Sequence, residues 1–243
     1  MDACENLDSA RIKVEICCDG IEAARKAFSA GADRIELCRD LSVGGVTPSR
    51  EDILSAVAAA PCPVHVLIRP RGGDFNYSEA EIRQMLDDIR FCGEAGAGAV
   101  VIGALTPRRQ IDGKTGGRLV EAARENGLGV TWHRSIDATP DPLEALEDVI
   151  ALGVDRVLTS GGAASAWKGR DTLAEMAVLA EQRFLENLET GRITDKVLIL
   201  PGCGITAANV RGLVAVTGVS EVHGSRLEIL NALRATPLQN NGQ

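Results

Sequence analysis

The amino-acid sequence predicts an α/β fold in which one domain forms a single (β/α)8 TIM barrel, and three observations support it. Eight short runs rich in β-branched residues alternate with eight longer amphipathic segments, without a linker between them. Three amphipathic segments end at a glycine shortly before the next strand, at Gly31, Gly96 and Gly153. The length of 243 residues suits a barrel, since such folds reach roughly 250 residues as one domain. An open doubly wound sheet is the weaker alternative.

The predicted elements follow one another in regular order. Strands are expected at residues 12–17, 34–38, 64–69, 99–103, 129–133, 156–160, 197–200 and 221–223. Helices are expected at residues 21–30, 50–59, 79–95, 116–126, 142–152, 172–188, 207–216 and 227–233. Ser49 and Asp141 are expected to cap the second and fifth helices, each beside a proline. The domain is expected to span residues 1–243, with flexible ends at 1–11 and 235–243.

Charge and composition exclude several classes of function. The chain carries 34 acidic and 26 basic residues, a formal net charge of −8, and no Lys/Arg run, so we expect no nucleic-acid partner. The most apolar stretch, 95–105, is too short to cross a bilayer, and the N-terminus has no secretion signal. We therefore expect no membrane contact and a cytoplasmic location. The seven scattered cysteines predict free thiols. The sequence has no G-x-G-x-x-G motif between a strand and a helix, so we expect no nucleotide cofactor.

The carboxyl ends of the first two strands carry the same E-x-C pattern. Glu15 and Cys17 end the first strand, and Glu36 and Cys38 end the second. Because side chains alternate along a strand, the four polar residues share the inward face. The residues between them are expected to face the helices: Val14, Ile16, Ile35 and Leu37. Barrel chemistry occurs at the carboxyl ends of the strands, so this face predicts a functional site.

Other strand ends direct further polar side chains toward the same mouth. The third strand runs into Arg69, the fifth into His133, and the eighth into His223. We therefore expect carboxylates, arginines and histidines to converge there, with the mouth formed by Glu15, Cys17, Glu36, Cys38, Arg69, His133 and His223.

Several motifs give the chain a resemblance to the CutC-type copper homeostasis family. They are VEICC (14–18), RIELC (34–38), GGVTPS (44–49), IRPRGGDF (68–75) with Tyr77 and Ser78, TWHR (131–134) with Asp137, and RVLTSG (156–161). The resemblance implies a cytoplasmic (β/α)8 barrel, often a homo-oligomer, that binds copper. By position, Cys17 and Cys38 match the cysteines proposed as Cu(I) ligands in that family. The chain departs from the family at Cys203, at Gly224 and in its short tail.

Two functions remain open, and the first is copper homeostasis through a Cu(I) site. Soft thiolates suit Cu(I), and neighbouring strands about 4.8 Å apart could present Cys17 and Cys38 to one ion. A free cysteine is also a common core residue, which favours a structural role for any single one. Of the other cysteines, we expect Cys18, Cys62 and Cys92 to lie in the core and Cys4 to lie in the N-terminal segment.

The alternative function is a TIM-barrel enzyme that performs acid-base chemistry on a small anionic metabolite, phosphorylated or carboxylated. Its candidate catalytic residues are Glu15, Glu36, His133, Asp137 and His223. An unperturbed histidine has a pKa near 6.5, so His133 could act as acid or base, and Asp137 could orient it if the loop folds back. A structural ion pair between Arg69 and Glu36 stays open as the competing interpretation.

An anion site is predicted beside these residues. Its candidate members are Arg69, Arg71, Asp74, Gly202, Gly204 and Ser225. The turns after the seventh and eighth strands are where barrels of this class hold phosphate on backbone amides at a helix N-terminus. The competing interpretation is that both are tight turns that need glycine. The expected ligand is therefore a copper ion or a small anion.

Overall fold

The structure is a computed structural model that describes residues 11–191 and 195–235. Its strands are β1 (Lys13–Asp19), β2 (Arg34–Cys38), β3 (Val64–Leu67), β4 (Ala99–Ile102), β5 (Gly129–Trp132), β6 (Arg156–Thr159), β7 (Leu198–Pro201) and β8 (Glu221–Gly224). Its helices are α1 (Gly20–Ser29), α2 (Arg50–Ala59), α3 (Glu79–Ala95), α4 (Gly113–Glu125), α5 (Pro142–Ala151), α6 (Arg170–Glu189), α7 (Val210–Thr217) and α8 (Glu228–Arg234). Short 3-10 helices lie at Leu41–Val43 and Arg134–Ala138.

The eight strands form one parallel sheet that curls into a nearly closed barrel. Each strand from β1 to β6 pairs with the next along the chain, and β8 pairs with β1. Strand β7 lies beside β8, which brings the two ends of the sheet together. A helix follows each strand. The predicted (β/α)8 barrel is confirmed, and the open sheet is excluded.

Alternation along the strands separates an outer apolar layer from a polar interior. The outward residues predicted for β1 and β2 belong to the core between sheet and helices: Val14, Ile16, Ile35 and Leu37. In the ladder, Glu15 lies opposite Arg34 on β2 and opposite His223 on β8, while Cys17 lies opposite Glu36. The barrel interior next to β1 is therefore built from charged and thiol side chains.

The local signals at helix ends are confirmed. The Ser49 hydroxyl accepts a hydrogen bond from Asp52 N at 3.1 Å, which caps α2. The Asp141 carboxylate accepts from Leu143 N and Glu144 N at 2.9 and 3.2 Å, with a proline in the first turn of α5. The three predicted stop glycines have positive φ: Gly31 74°, Gly96 83° and Gly153 76°. These short-range signals fix where the chain turns back toward the sheet.

Two helix starts, those of α4 and α7, lie three residues from their predicted positions because nearby side chains bond to the backbone there. Helix α4 starts three residues earlier than expected, since the Asp112 carboxylate accepts from Thr115 N at 3.0 Å. Helix α7 starts at Val210 instead of residue 207, since Asn209 Oδ1 accepts from Thr206 N and closes a turn first.

Parts of the predicted terminal segments, residues 1–10 and 236–243, lie outside the described residues, as does Cys4. Within the part of the chain that the structure describes, no helix is both long and apolar enough to cross a membrane.

Candidate functional site

A cavity of about 570 Å³ opens at the carboxyl ends of the strands. Most of the predicted site residues line it: Cys17, Glu36, Cys38, Arg69, His133, Asp137, Gly204, His223 and Ser225. Apolar side chains complete the wall, among them Leu41, Val43, Leu67 and Phe75. Glu15 is buried one step deeper, beneath His223. The cavity thus brings together six of the seven residues expected at the mouth, and Glu15 lies beneath it.

The barrel floor is an ion-pair network that the sequence did not reveal. Arg34 Nε donates to Glu15 at 2.5 Å, and Arg34 Nη2 donates to Glu221 at 2.7 Å. Arg156 Nε donates to Glu221 at 3.0 Å. Glu15, Arg34 and Glu221 are buried, so these pairs hold charges that would otherwise be costly inside the barrel. The available signal was alternation, because Arg34 and Glu221 occupy inward positions on β2 and β8.

The ion pair between Arg69 and Glu36, which the sequence left open as a competing interpretation, does not form in the structure. The Arg69 guanidinium donates instead to three backbone carbonyls, and Glu36 faces Cys17 and His223. The reason is height along the barrel: in the ladder Glu36 lies opposite His65, four residues before Arg69. Arg69 lies two residues beyond the end of β3, and at about 3.3 Å per extended residue its Cα lies up to about 13 Å beyond that of His65.

His223 links two glutamates that differ in charge state. Its Nδ1 is 2.7 Å from Glu15 Oε1, and its Nε2 is 3.5 Å from Glu36 Oε2. Burial raises the pKa of Glu15, but the Arg34 cation and hydrogen bonds from His223 and His65 outweigh burial and hold that pKa well below its usual value. Burial raises the pKa of Glu36, and the His223 cation only partly offsets it. The two carboxyl groups are thus shifted in opposite directions: the surroundings favour the charged form of Glu15 and the neutral form of Glu36.

His223 itself favours the protonated form. Burial lowers the pKa of His223, but the hydrogen bond to Glu15 and the charge of Glu36 outweigh burial and raise it above its usual value. A cation between two carboxyl groups fits this shift. Glu36 and His223 can therefore exchange a proton at the cavity wall.

Two thiols meet beside this pair. Cys17 Sγ and Cys38 Sγ are 3.8 Å apart, and Cys38 Sγ donates to Cys18 O at 3.4 Å. The contact with Cys38, burial and the Glu36 charge all raise the pKa of the Cys17 thiol well above its usual value. Ligand atoms of Cys17, Glu36 and His223 lie within 4.8 Å of one another. This group offers one thiol, one carboxylate and one imidazole, and Cys38 adds a second thiol beside Cys17; thiolates suit Cu(I) better than Mg²⁺ or Ca²⁺.

The side chains of the other described cysteines in the first half of the chain lie outside this group. Cys18 and Cys92 are buried in the core, and Cys62 is half-buried against it, as expected. Cys203, in the glycine-rich turn after β7, lines the cavity with a positive φ of 76°.

The expectation that Asp137 orients His133 is wrong. His133 Nδ1 accepts from Ser135 N at 3.1 Å. Asp137 instead accepts from the backbone N of Ser160 and Gly162 and pairs with Arg134, because the 3-10 helix at Arg134–Ala138 directs its carboxylate toward the end of β6. Asp137 therefore anchors the loop after β6.

His133 also does not titrate near neutral pH. Burial and the positive charge of Arg69 lower the pKa of His133 to about 3. Sequence reasoning could not foresee this shift, because burial by the tertiary fold is its largest cause. His133 is therefore neutral at cellular pH and is a hydrogen-bonding group.

Three members of the predicted anion site do not reach the cavity. Arg71 Nε donates to Glu81 at 2.6 Å, and Arg71 pairs with Asp74 at 3.0 Å; neither residue lines the cavity. Gly202 N donates to Thr159 O, so its amide is already used. Gly204 and Ser225 do line the cavity, but α7 begins only at Val210. The helix N-terminus expected at the Gly204 turn is therefore absent from the described structure.

Fold and site together define a (β/α)8 barrel protein whose mouth is lined by thiols, carboxyl groups and histidines. Residues 12–228 match the CutC family, described by that name. The chain belongs to the CutC family, which confirms the resemblance seen in its motifs.

Curated relatives and a solved structure agree with this membership. The family protein CutC of Pasteurella multocida (strain Pm70) is 46% identical over 212 residues, which cover 87% of this chain and 81% of that protein. The family protein CutC of Aliivibrio fischeri (strain MJ11) is 42% identical with the same coverage of 87% and 81%. The crystal structure of the proposed copper homeostasis protein CutC from Streptococcus agalactiae has a TM-score of 0.76 and 30% identity, and covers 89% of this chain and 99% of that chain.

A more distant neighbour shares only the fold. A Rubisco-like protein from Rhodopseudomonas palustris gives a TM-score of 0.63 at 18% identity, covering 93% of this chain and 63% of that chain. Identity this low says nothing about the site, so the likeness supports the barrel architecture alone.

Proposed function

We propose that the protein serves copper homeostasis by binding one Cu(I) ion through Cys17 and Cys38 at the barrel mouth. The observation that carries the proposal is the distance of 3.8 Å between the two sulfurs. With metal–sulfur bonds of about 2.3 Å, two sulfurs on one ion lie at most about 4.6 Å apart. Soft thiolates favour Cu(I), Zn²⁺ and Fe–S clusters over hard cations, and a pair of thiolates suits Cu(I) better than Zn²⁺, which takes four ligands in structural sites. The Streptococcus agalactiae neighbour carries copper homeostasis in its name.

His223 is the proposed third donor. Its Nδ1 bonds to Glu15, which leaves Nε2 on the side of Cys17 and Glu36. A carboxylate behind a ligating histidine fixes the ring and its tautomer, a common arrangement at metal sites. Glu36 offers only hard oxygens, so we assign it no bond to Cu(I).

The test compares Cu(I) binding by matched cysteine variants under reducing, anaerobic conditions. Titration against a competing Cu(I) chelator should give one tightly bound ion for the wild type and its loss in Cys17→Ser and in Cys38→Ser. Cys62→Ser is the control, because Cys62 packs against the core away from the pair, and it should keep the wild-type affinity. Unchanged affinity and stoichiometry in both Cys17→Ser and Cys38→Ser would contradict the proposal.

A second candidate function, acid-base catalysis on a small anionic metabolite, is supported by the size of the cavity. A volume of about 570 Å³ is far more than one ion needs and falls within the range of small-molecule pockets. Glu36 and His223 are the proposed proton-transfer pair, with Cys17 beside them.

Exchange of the C3 methyl protons of pyruvate, which lie next to its ketone, is followed by proton NMR in D₂O and tests this second function on the metal-free chain. Exchange should exceed the protein-free rate and should be lost in Glu36→Gln, whose amide cannot accept the proton. Exchange at the protein-free rate in the wild type would count against proton abstraction from this substrate class.

A cytoplasmic location and a homo-oligomeric state stay predictions of the sequence and the family resemblance. Cell fractionation would test the location. Light scattering of the purified chain would test the oligomeric state, with a mass equal to one chain of 25.6 kDa as the result against it.

A further inference from the structure

Arg69 carries a buried positive charge without a negative partner. Among the described residues, the buried Asp, Glu, Lys and Arg side chains are these five: Glu15, Arg34, Glu36, Arg69 and Glu221. The other four each have an ion-pair partner within 4.0 Å, with histidine counted as a partner for Glu36. For Arg69 the described residues provide no carboxylate within that distance. Buried charges are normally paired, so the charge of Arg69 indicates a ligand.

Neutral groups hold the Arg69 guanidinium in place. Its Nη1 donates to Val43 O and Gly45 O at 3.0 and 2.9 Å, and its Nη2 donates to Gly73 O at 2.8 Å. The Tyr77 hydroxyl also interacts with it, but burial raises the pKa of Tyr77 to about 12, so the tyrosine brings no negative charge. Carbonyl dipoles orient the cation without neutralising it.

His133 adds an unused hydrogen-bond donor to the same wall. Its Nδ1 accepts from Ser135 N, so in the neutral ring the proton is on Nε2. Nε2 is buried and has no partner among the described residues. A buried N–H without an acceptor costs about 1–3 kcal/mol, so an acceptor from outside the chain is expected there.

Arg69 and His133 share one aromatic side chain and one cavity. The Phe75 ring centroid is 4.8 Å from Arg69 Cζ and 5.0 Å from the His133 ring centroid, and all three residues line the cavity. The His133 ring packs directly against the backbone of Gly103, where a Cβ would lie only 2.4 Å from His133 Cε1. A fixed cation and a fixed neutral donor thus flank one apolar surface.

We propose that Arg69 and His133 form a binding site for a small monocarboxylate, with Arg69 as its counter-charge and His133 Nε2–H as a donor to one of its oxygens. One uncompensated buried cation matches one negative charge, whereas a phosphate dianion would leave a net negative charge in the buried site. The inference rests on the second candidate function, for which it names the substrate class. It requires no metal.

Binding is measured on the full-length, reduced, metal-free chain with pyruvate as the probe. Calorimetric titration should show saturable binding that Arg69→Lys weakens about ten- to a hundredfold, because a charge-assisted bond is worth about 1.5–3 kcal/mol. His133→Phe should weaken binding about two- to tenfold, as loss of one neutral hydrogen bond does. Arg118→Lys is the matched control, since Arg118 pairs with Glu79 on the surface, and it should bind like the wild type.

Nitrogen NMR gives a second readout that does not depend on the arginine variant. The chain has only three histidines, so ¹⁵N-histidine spectra with His133→Phe identify the His133 signals. They should show a proton on Nε2 and a shift of that signal on addition of pyruvate. A proton on Nδ1, no saturable binding, tighter binding of inorganic phosphate, or equal affinity in wild type and His133→Phe would overturn the proposal. Pyruvate binding without exchange of its methyl protons would uphold it and reject proton abstraction as the activity.

Discussion

Replacing Glu15 by glutamine tests whether the ion-pair network holds the barrel floor together. The substitution keeps the shape of the side chain but removes the charge that Arg34 and His223 face at 2.5 and 2.7 Å. Arg34 then keeps only Glu221, and both remaining cations stay buried. Breaking a buried pair in this way costs about 3–5 kcal/mol. At about 2–4 °C per kcal/mol for a chain of this size, the Tm should fall by about 6–20 °C.

The pH dependence of this fall in Tm follows from the shifted pKa values of Glu15 and His223. Glu15 has a lowered pKa, so its stabilisation is present above its usual value of 4.5 and is lost as the pH falls through the lower folded value. His223 has a raised pKa, so the stabilisation that protonated His223 contributes is present below its usual pKa of 6.5. This stabilisation is lost as the pH rises through the higher pKa of the folded state. The Tm difference between wild type and Glu15→Gln should therefore be widest between about pH 4.5 and 6.5.

Thermal unfolding followed by circular dichroism from pH 4 to pH 9 measures this difference, and Glu36→Gln is the matched control. Glu36 has a raised pKa, so the folded state disfavours its charge, and stability linked to its proton is lost as the pH rises. Glu36→Gln should therefore lose little stability and should gain relative to the wild type at high pH. Equal losses in Glu15→Gln and Glu36→Gln near pH 6 would refute the assignment of charge states.

Two further predictions concern packing and capping. Gly103→Ala should destabilise the fold by about 1–3 kcal/mol and displace the His133 ring, since the new Cβ would lie 2.4 Å from His133 Cε1. Urea unfolding measures the loss of stability, and the ¹⁵N-histidine spectrum reports the displacement of the ring. Unchanged histidine signals would contradict the displacement. Asp141→Ala should cost about 1 kcal/mol, because the carboxylate caps α5 through two backbone N–H groups. Asp171→Ala, at an exposed position, is the control in the same urea experiment and should change stability little.

The architecture was predictable because its signals are short-range. Stop glycines such as Gly96 and caps such as Asp141 act within one turn, and strand alternation needs only the next few residues. The inward face of β1 and β2 followed from the same alternation. These signals establish that Glu15 and Cys17 point into the barrel, but they do not give the partners that those side chains meet there.

Partners could not be read from the sequence because they depend on closure and register. Arg34 meets Glu221 across 187 positions of chain, a contact that exists only when β8 closes onto β1. Register also sets depth: Arg34 begins β2 and lies at the floor, whereas Arg69 follows β3 and lies at the mouth. Arg34 therefore pairs with Glu15 and Glu221, Arg69 contacts loop carbonyls, and Glu36 faces His223.

This difference in depth also decides how the role of Arg69 can be measured. Its bonds to Val43, Gly45 and Gly73 join two loops at the mouth, so Arg69→Ala would loosen those loops and remove the charge together. A fall in Tm of Arg69→Ala would follow from either role. Arg69→Lys keeps the charge and some of the carbonyl contacts while it removes the planar fork that suits a carboxylate. Weaker pyruvate binding in a variant that stays folded therefore separates ligand recognition from loop stabilisation.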